Sequence, residues 1–228
     1  MASVTKRKVE VNTKRLTLRP MTETEMETLI AGEQDAHLKQ AYEQMLRGCR
    51  ENPEQWAFYA CWQIAVKDGT PVGDLCFKGA PKDGATEIGY GILPAYQGNG
   101  YATEAVAAAM EWAFGKVSEL YYILAEAEES NAPSRRVLEK LGFVSIGQGS
   151  EGTLYEKERP NGNLMSMYLC LGMSVGVCIG VSTDHLAMGI SLGMCLGACL
   201  GAILESSDKK KRQAAKAARK TAEDTSRQ

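Results

Sequence analysis

Glycine recurs every four residues in an almost uninterrupted apolar stretch that occupies the last third of the chain. The two runs are Gly172, Gly176 and Gly180, then Gly189, Gly193, Gly197 and Gly201. Read at every second residue, the order Gly-Ser-Gly-Cys-Gly occurs in both runs, which indicates an internal duplication. By contrast, fifteen of the sixteen aromatic residues precede residue 161. The chain is therefore composed of two parts with different physical properties.

Charge excludes some classes of protein. Among 228 residues there are 26 basic and 28 acidic side chains, which gives a formal charge of -2. This balance excludes an electrostatic nucleic-acid binder and a block-charged disordered chain. With 44% hydrophobic residues, the chain has enough apolar material for one proper core.

The seven cysteines show neither a CxxC motif nor a paired histidine spacing. We therefore expect no zinc site and no redox motif. The opening segment 1–12 is charged and lacks an apolar stretch, which argues against a secretory signal. Reduced thiols inside the cell are the expectation that follows.

Before residue 160, short β-rich runs come first and then alternate with helical patterns. The predicted strands are 15–19, 62–66, 72–77, 87–93, 121–127, 143–146 and 153–156. The predicted helices are one opened by a Thr22/Glu25 capping box and those at 36–49, 103–114 and 133–141. This order predicts an α+β (mixed α/β) sheet. We expect a domain at 1–160, a linker at 161–166, a hydrophobic segment at 167–204 and a basic, flexible tail at 205–228.

The most informative stretch is a glycine-bearing loop between a strand ending at Pro94 and a helix beginning near Gly100. Glycines let the backbone turn tightly there, so that several unpaired N–H groups converge at the positive end of the helix dipole. Such a nest binds a diphosphate, although the same residues also suit a plain helix-entry turn. The loop lacks the lysine of a P-loop and does not match GxGxxG, which disfavours a nucleoside triphosphate or a dinucleotide.

At these residues the sequence resembles the GNAT superfamily of N-acetyltransferases, over about residues 10 to 158. Gln97, Gly100 and Ala102 fit its Q/R-x-x-G-x-G/A signature. A second match is the asparagine-initiated helix that ends in Leu-Gly-Phe, from Asn131 to Phe143. The opening motif contains Arg15, Leu16, Leu18, Arg19 and Pro20. The Rim-type branch, which acetylates α-amino groups of ribosomal proteins such as N-terminal alanines, is the most similar in character.

The resemblance implies a central, mostly antiparallel sheet flanked by helices, and acetyl transfer from acetyl-CoA to a primary amine of a protein N-terminus or small molecule. The residues it implies for the cofactor are Ile92, Leu93, Gln97, Gly98, Asn99, Gly100, Tyr101, Ala102, Thr103, Asn131 and Ser134. The loop would hold the pyrophosphate, and the strand end at Ile92 and Leu93 would pair with the pantetheine arm.

Catalysis of this reaction needs a base for the ammonium proton and a donor for the oxyanion or the leaving thiolate. Glu87, on the strand beside the cofactor, is the candidate base, and its alternative role is a structural ion pair or a solvent-facing carboxylate. Family members often place a tyrosine on the second helix as the acid, where this chain has Leu138. Ser134, Tyr90 or Tyr96 would then supply a hydroxyl, or the thiolate would leave into water without a donor; a tyrosine also suits core packing.

The pattern of the apolar stretch fits helices, because four-residue glycine spacing lets helices pack closely in a membrane. Small and large residues also alternate there, which is the period of a strand. A helix over 167–181 would be about 22 Å long and one over 186–204 about 28 Å, against a hydrocarbon core of about 30 Å. A glycine-rich helical hairpin in a membrane, a soluble or self-associating zipper, and a stacked β assembly are the three alternatives.

Seven basic residues follow this stretch between Lys209 and Lys220. By the positive-inside rule they stay in the cytoplasm, so that a hairpin returning at 182–185 would leave the catalytic domain cytoplasmic too. They suit a solvated helix or an attraction to anionic lipid headgroups. Two rival functions are a catalytically silent acyl-CoA-binding module and a membrane-assembling protein driven by the tail. The acceptor and the oligomeric state are not specified by the sequence.

Overall fold

A computed structural model describes residues 9–162 and 164–226. The chain forms two compact units that divide between Arg159 and Pro160. The first unit contains all the strands of the described residues, and the second contains two long helices.

The first unit is built on an eight-stranded sheet. Its strands are β1 (Val11–Asn12), β2 (Leu16–Pro20), β3 (Cys61–Val66), β4 (Pro71–Phe77), β5 (Ala85–Ile92), β6 (Tyr122–Ala127), β7 (Val144–Gln148) and β8 (Thr153–Glu158). The order is β1-β2-β3-β4-β5-β6-β8-β7, and among these described strands only β5 and β6 pair in parallel. The predicted mixed α/β class with a mostly antiparallel sheet is confirmed.

Five helices flank this sheet. They are α1 (Glu23–Gly32), α2 (Ala36–Glu51), α3 (Trp56–Tyr59), α4 (Tyr101–Lys116) and α5 (Ala132–Lys140). The predicted capping box of α1 is present, since Thr22 Oγ1 accepts from the Glu25 amide and the Glu25 carboxylate accepts from the Thr22 amide. Sequence analysis missed β1 and α3, because two and four residues are too short to show a periodicity.

Helix α4 packs on one face of the sheet through small residues and an aromatic cluster. Ala105, Ala109 and Ala113 are fully buried, which brings the helix close to the strands. Trp112 meets Trp62 of β3 edge-on, with ring centroids 4.8 Å apart. This packing fixes the axis of α4 and therefore the position of its N-terminal amides.

Helices α1 and α2 lie over the opposite face of the sheet. They pack together through Met26, Leu46 and Cys49, all buried. The Trp56 indole N–H donates to the Met21 carbonyl at 2.9 Å and ties α3 to the entry of α1. The two faces of the sheet are therefore covered by different helices.

A gap opens in the middle of the sheet. Strands β5 and β6 pair only from Ala85–Tyr122 to Glu87–Leu124. Beyond Glu87, β5 continues to Ile92 along β4, while β6 continues along β8. The two central strands therefore diverge, and this opening lies beside the loop that leads into α4.

The second unit is an antiparallel helical hairpin of α6 (Leu164–Ser182) and α7 (Leu186–Ser226). Glycines lie at the contact: a Cβ at Gly172 would clash with the Gly193 carbonyl, and one at Gly176 with the Gly189 carbonyl. Large apolar side chains such as Leu171, Leu192 and Leu196 point outward and are more than half exposed. By length and mean hydropathy, 1.7 over Met165–Ser182 and 2.0 within Leu186–Arg219, both helices are long and apolar enough to cross a membrane.

The hairpin corrects three expectations from the sequence. The apolar stretch forms two helices, which excludes the stacked β assembly. Helix α6 begins at Leu164, inside the expected 161–166 linker, so its 19 residues span about 28 Å rather than 22 Å. The expected flexible tail at 205–228 is helical as far as Ser226, because it is rich in helix formers and carries i,i+4 pairs such as Glu205–Lys209 and Asp208–Arg212.

Candidate functional site

The loop between β5 and α4 contains two left-handed glycines. Gly98 and Gly100 both have φ of 76°, a conformation that costs other residues about 1 to 2 kcal/mol. The Asn99 side chain lies back over the loop and donates to the Tyr96 and Gln97 carbonyls at 3.0 and 3.1 Å. The glycines and this side chain together hold the loop in one shape.

The amides at the start of α4 are open. Gly100 is the N-cap residue and offers no side-chain cap. Tyr101, Ala102 and Thr103 form the first turn of the helix and not part of the loop. Within the part of the chain that the structure describes, no group accepts a hydrogen bond from the amides of 98–103. Uncapped amides at the positive end of a helix dipole favour an anion.

An ion pair between β2 and α4 supports the loop from behind. The Glu104 carboxylate accepts from Arg15 Nε at 2.6 Å, from the Arg15 amide at 2.9 Å and from Thr13 Oγ1 at 2.6 Å. Burial raises the pKa of Glu104, but these hydrogen bonds outweigh it and the net pKa is lowered. Arg15 also donates to the Asn99 carbonyl at 2.9 Å and lies over the Tyr101 ring. Sequence reasoning assigned no role to Arg15 or Glu104.

The strand end predicted to bind the pantetheine arm is partly occupied by protein. The Ile92 carbonyl accepts from Gln97 Nε2 at 2.9 Å, and the Leu93 amide donates to Val72 at 2.9 Å. Backbone groups alternate in direction along a strand. Since Leu93 bonds to β4, the backbone groups of Tyr90 and the Ile92 amide point away from β4, toward the opening.

Helix α5 brings a hydroxyl to the same strand. Asn131 Oδ1 caps the helix by accepting from the Ser134 amide at 3.0 Å. The Tyr90 hydroxyl lies 3.0 Å from Ser134 Oγ and donates to the Ser134 carbonyl at 3.2 Å. Burial raises the pKa of Tyr90, so the phenol is protonated at neutral pH. The structure therefore brings Tyr90 and Ser134 together, whereas Tyr96 packs against the core and Leu138 is fully buried.

Glu87 lies on the opposite face of β5 from Tyr90 and forms an ion pair. Its Oε1 is 2.5 Å from Lys78 Nζ, which lies 3.5 Å from Glu151 Oε2. Among the described residues, Oε2 of Glu87 has no partner. The carboxylate is 22% exposed, so that one oxygen stays available at the mouth of the opening.

The chain matches two family models. Residues 15–144 match the model described as an acetyltransferase (GNAT) domain, and residues 159–207 match one described as a glycine zipper membrane protein. The first match covers more than half of the chain, and the resemblance to GNAT enzymes is thereby confirmed.

Curated relatives of the chain are named as N-acetyltransferases. An uncharacterized N-acetyltransferase YnaD of Bacillus subtilis is 39% identical over 77 residues, which are 34% of this chain and 41% of that protein. The uncharacterized N-acetyltransferase YjdG of the same organism is 35% identical over 92 residues, 40% of this chain and 54% of that protein. The chain thus spans about half the length of these relatives.

Solved structures share the fold. The ribosomal-protein-S5-alanine acetyltransferase of Vibrio fischeri superposes with a TM-score of 0.54 at 19% identity, covering 67% of this chain and 98% of that one. RimL, a ribosomal L7/L12 α-N-protein acetyltransferase solved with coenzyme A, gives 0.53 at 16% identity, covering 66% and 98%. At these identities the likeness establishes the fold only. Together with the domain match, it shows that this chain belongs to the GNAT acetyltransferase family.

Proposed function

We propose that the first unit binds acetyl-CoA and transfers its acetyl group to a primary amine. The observation that carries this proposal is the set of uncapped amides at 98–103, which lie beside an opening in the sheet. The coenzyme's diphosphate matches the charge that this helix end favours. Gln97 to Thr103 would hold the diphosphate, with Arg15 and Glu104 as the support behind them.

The pantetheine arm would enter the opening between β5 and β6. With Ile92 O and Leu93 N already paired, the free groups for the arm are the Ile92 amide and the backbone of Tyr90. Asn131 retains its amide N–H donors, because its cap uses only the oxygen. The hydroxyls of Ser134 and Tyr90 would meet the thiol end of the arm.

Direct attack of the amine requires little from the protein beyond positioning. Glu87 would take the ammonium proton through water at its free Oε2, with Lys78 holding the other oxygen. The nitrogen forms a bond to the acetyl carbon as the C–S bond breaks. The thiolate then leaves beside the Ser134–Tyr90 hydroxyl pair, which stabilises it by hydrogen bonding.

Thiol release from acetyl-CoA with a panel of amines tests this proposal. The full chain is expected to release thiol in proportion to the amine added, and a mass increase of one acetyl group should appear on the amine. Binding of acetyl-CoA without turnover on any amine would contradict the transferase and leave a cofactor-binding module.

A silent acyl-CoA-binding module is the second candidate, and one feature favours it. Leu138 occupies the position at which many family members carry a tyrosine that acts as the general acid, and the Leu138 side chain is 0% exposed. The Tyr90 and Ser134 hydroxyls must therefore supply the donor if transfer occurs. The thiol-release experiment separates the two candidates.

We also propose that the second unit attaches the enzyme to a membrane as a hairpin, with the first unit in the cytoplasm. The family match, the exposed apolar side chains and the helix lengths support this. The basic residues near Lys209 would remain on the cytoplasmic side. Fractionation of the full chain should find it in membranes and extractable only by detergent. Recovery in the soluble fraction would instead favour a self-associating zipper.

A further inference from the structure

Asp74 is a carboxylate without a partner on the face of the sheet opposite α4. It lies in register between Gln63 of β3 and Gly91 of β5. No described residue forms a hydrogen bond or ion pair with it. Burial raises the pKa of Asp74. A half-buried carboxylate without a partner is unfavourable for folding, and its presence there calls for a ligand.

The groups around Asp74 supply no cation. The titratable groups that sense its charge are Tyr42 of α2, Cys61 of β3 and Cys76 of β4. Burial and the charge of Asp74 raise the pKa of all three, so that they are neutral at pH 7. The charge of Lys78 reaches Cys76, but Lys78 already pairs with Glu87. The groups that sense the charge of Asp74 are therefore neutral hydroxyl and thiol groups, and none of them balances this carboxylate.

Two glycines leave free space next to this carboxylate. Gly89 and Gly91 of β5 lie on the same face of the sheet as Asp74, and as glycines they leave the space above the strand empty. A Cβ added at Gly91 would lie 3.5 Å from Asp74 Oδ1, and one at Gly89 would lie 3.5 Å from Cys76 Sγ. A small ligand atom above Gly91 would therefore be in direct contact with the carboxylate of Asp74.

This space adjoins the opening in the sheet. Strand β5 borders the opening, and neighbouring strands are about 4.8 Å apart. A group above Gly91 is thus about one strand spacing from the opening proposed for the pantetheine arm. On its other side, a groove of about 530 Å³ runs between α1 and Gln63, the cross-strand neighbour of Asp74. Glu25 and Glu33 line this groove. Arg19 already pairs with Glu25 and donates to Gln63, so Glu33 is the lining carboxylate left for the rest of a cationic molecule.

We propose that Asp74 binds the ammonium group of the acceptor above Gly91, and that the acceptor is an aliphatic primary amine that is cationic at neutral pH. The inference rests on the proposed acetyl transfer and names the class of its second substrate. An aromatic amine, which is uncharged at pH 7, gains nothing from this carboxylate. A peptide N-terminus and a small aliphatic amine both carry an ammonium group. The choice of probe distinguishes these two kinds of acceptor.

Kinetics and direct binding on the full chain test the proposal. The probes are 1,4-diaminobutane, the tripeptide Ala-Ala-Ala and aniline. Asp74→Asn keeps the shape and removes the charge, and Gly91→Ala keeps Asp74 but fills the space. Each variant should raise the KM for the preferred aliphatic probe by about 10-fold or more, with kcat less affected. Coenzyme A affinity should not change. Asp83→Asn, an exposed carboxylate in a turn, is the matched control and should behave as wild type.

Thermal unfolding provides a readout that does not depend on turnover. With coenzyme A present, the preferred aliphatic probe should raise the Tm of the wild type and of Asp83→Asn, but not that of Asp74→Asn. Without an amine, Asp74→Asn should unfold at a higher temperature than the wild type, because a desolvated charge has been removed.

Three results would overturn the assignment: an unchanged KM in Asp74→Asn, equal use of aniline, or an amine-induced Tm shift that survives the substitution. If the wild type binds coenzyme A and acetylates amines while these results appear, the acceptor assignment alone fails. If it neither binds coenzyme A nor releases thiol, the proposed function fails and the acceptor site fails with it.

Discussion

Arg15 and Glu104 lie 89 residues apart in the sequence and form an ion pair, with Arg15 Nε 2.6 Å from Glu104 Oε2. The pair joins the start of β2 to the first turn of α4. The same guanidinium donates a hydrogen bond to the Asn99 carbonyl. One side chain therefore connects the edge of the sheet, the glycine loop and the helix. The open amides of the loop are therefore held in place before any ligand arrives.

Glu104→Gln removes the charge that orders Arg15 and Thr13. We expect coenzyme A to bind about 10-fold more weakly, because the loop loses its support. Stability should fall by about 1 kcal/mol, since Arg15 is 45% exposed and solvent screens the pair. Calorimetric titration with coenzyme A and urea unfolding measure the two effects. Glu111→Gln, an exposed carboxylate on the same helix, should leave both quantities unchanged.

Two glycine-to-alanine substitutions should have opposite effects. Gly98 has a positive φ, and Gly98→Ala should cost about 1 kcal/mol and weaken coenzyme A binding. Gly115 lies within α4 with open space around its Cα, and Gly115→Ala should stabilise by about 0.5 to 1 kcal/mol. Denaturant unfolding measures both. A stabilising Gly98→Ala would show that the loop does not hold the left-handed conformation.

Acid should weaken the first unit in part through Glu25. A hydrogen bond from Arg19 lowers the pKa of Glu25 from 4.5 to about 2. A carboxylate whose pKa is lower when folded stabilises the fold above pH 4.5, and this contribution is lost as pH falls toward 2. Glu25→Gln should therefore lose about 1 kcal/mol at pH 7 and depend less on pH between 5 and 2. Glu43→Gln, on the exposed side of α2, should retain the wild-type pH profile.

The proposed catalytic groups predict distinct kinetic defects. Glu87→Gln should lower kcat by about 100-fold, because the proton acceptor is lost. Ser134→Ala combined with Tyr90→Phe should lower kcat by about 10-fold, since the thiolate loses its donors. Coenzyme A binding by each variant checks that the fold is intact. An unchanged kcat in Glu87→Gln would contradict the catalytic role of Glu87 and show that its ion pair with Lys78 is structural only.

Close glycine contacts predict how the hairpin responds to substitution. A valine at Gly176 would meet the backbone of Gly189 and Gly193 on α7, forcing the helices apart. Amide hydrogen exchange of the full chain in detergent should then speed up across α6. Ser174→Val places the same side chain on the exposed side of α6 and should leave the exchange unchanged. Equal exchange in both variants would contradict the glycine-mediated contact.

Local sequence signals predicted most of the first unit, because capping, turn glycines and hydrophobic alternation act over a few residues. The loop at Gln97 to Thr103 and the α5 motif followed from such signals and from the family resemblance. Contacts between distant segments did not. Arg15 with Glu104, Lys78 with Glu87, and Asp74 beside Gly91 depend on strand register, which no short pattern specifies. A helix at the basic end was one interpretation of the sequence, but its continuity with the apolar helix as far as Ser226 was not predicted.

Titration calorimetry with coenzyme A and with pantetheine, which lacks the diphosphate, tests the central claim most directly. The account predicts one coenzyme A site per chain with a Kd of about 10 μM, and binding of pantetheine at least about 100-fold weaker, since the open amides at 98–103 act on phosphate charge. Equal affinity for the two molecules, or no heat with coenzyme A at about 1 mM, would contradict it.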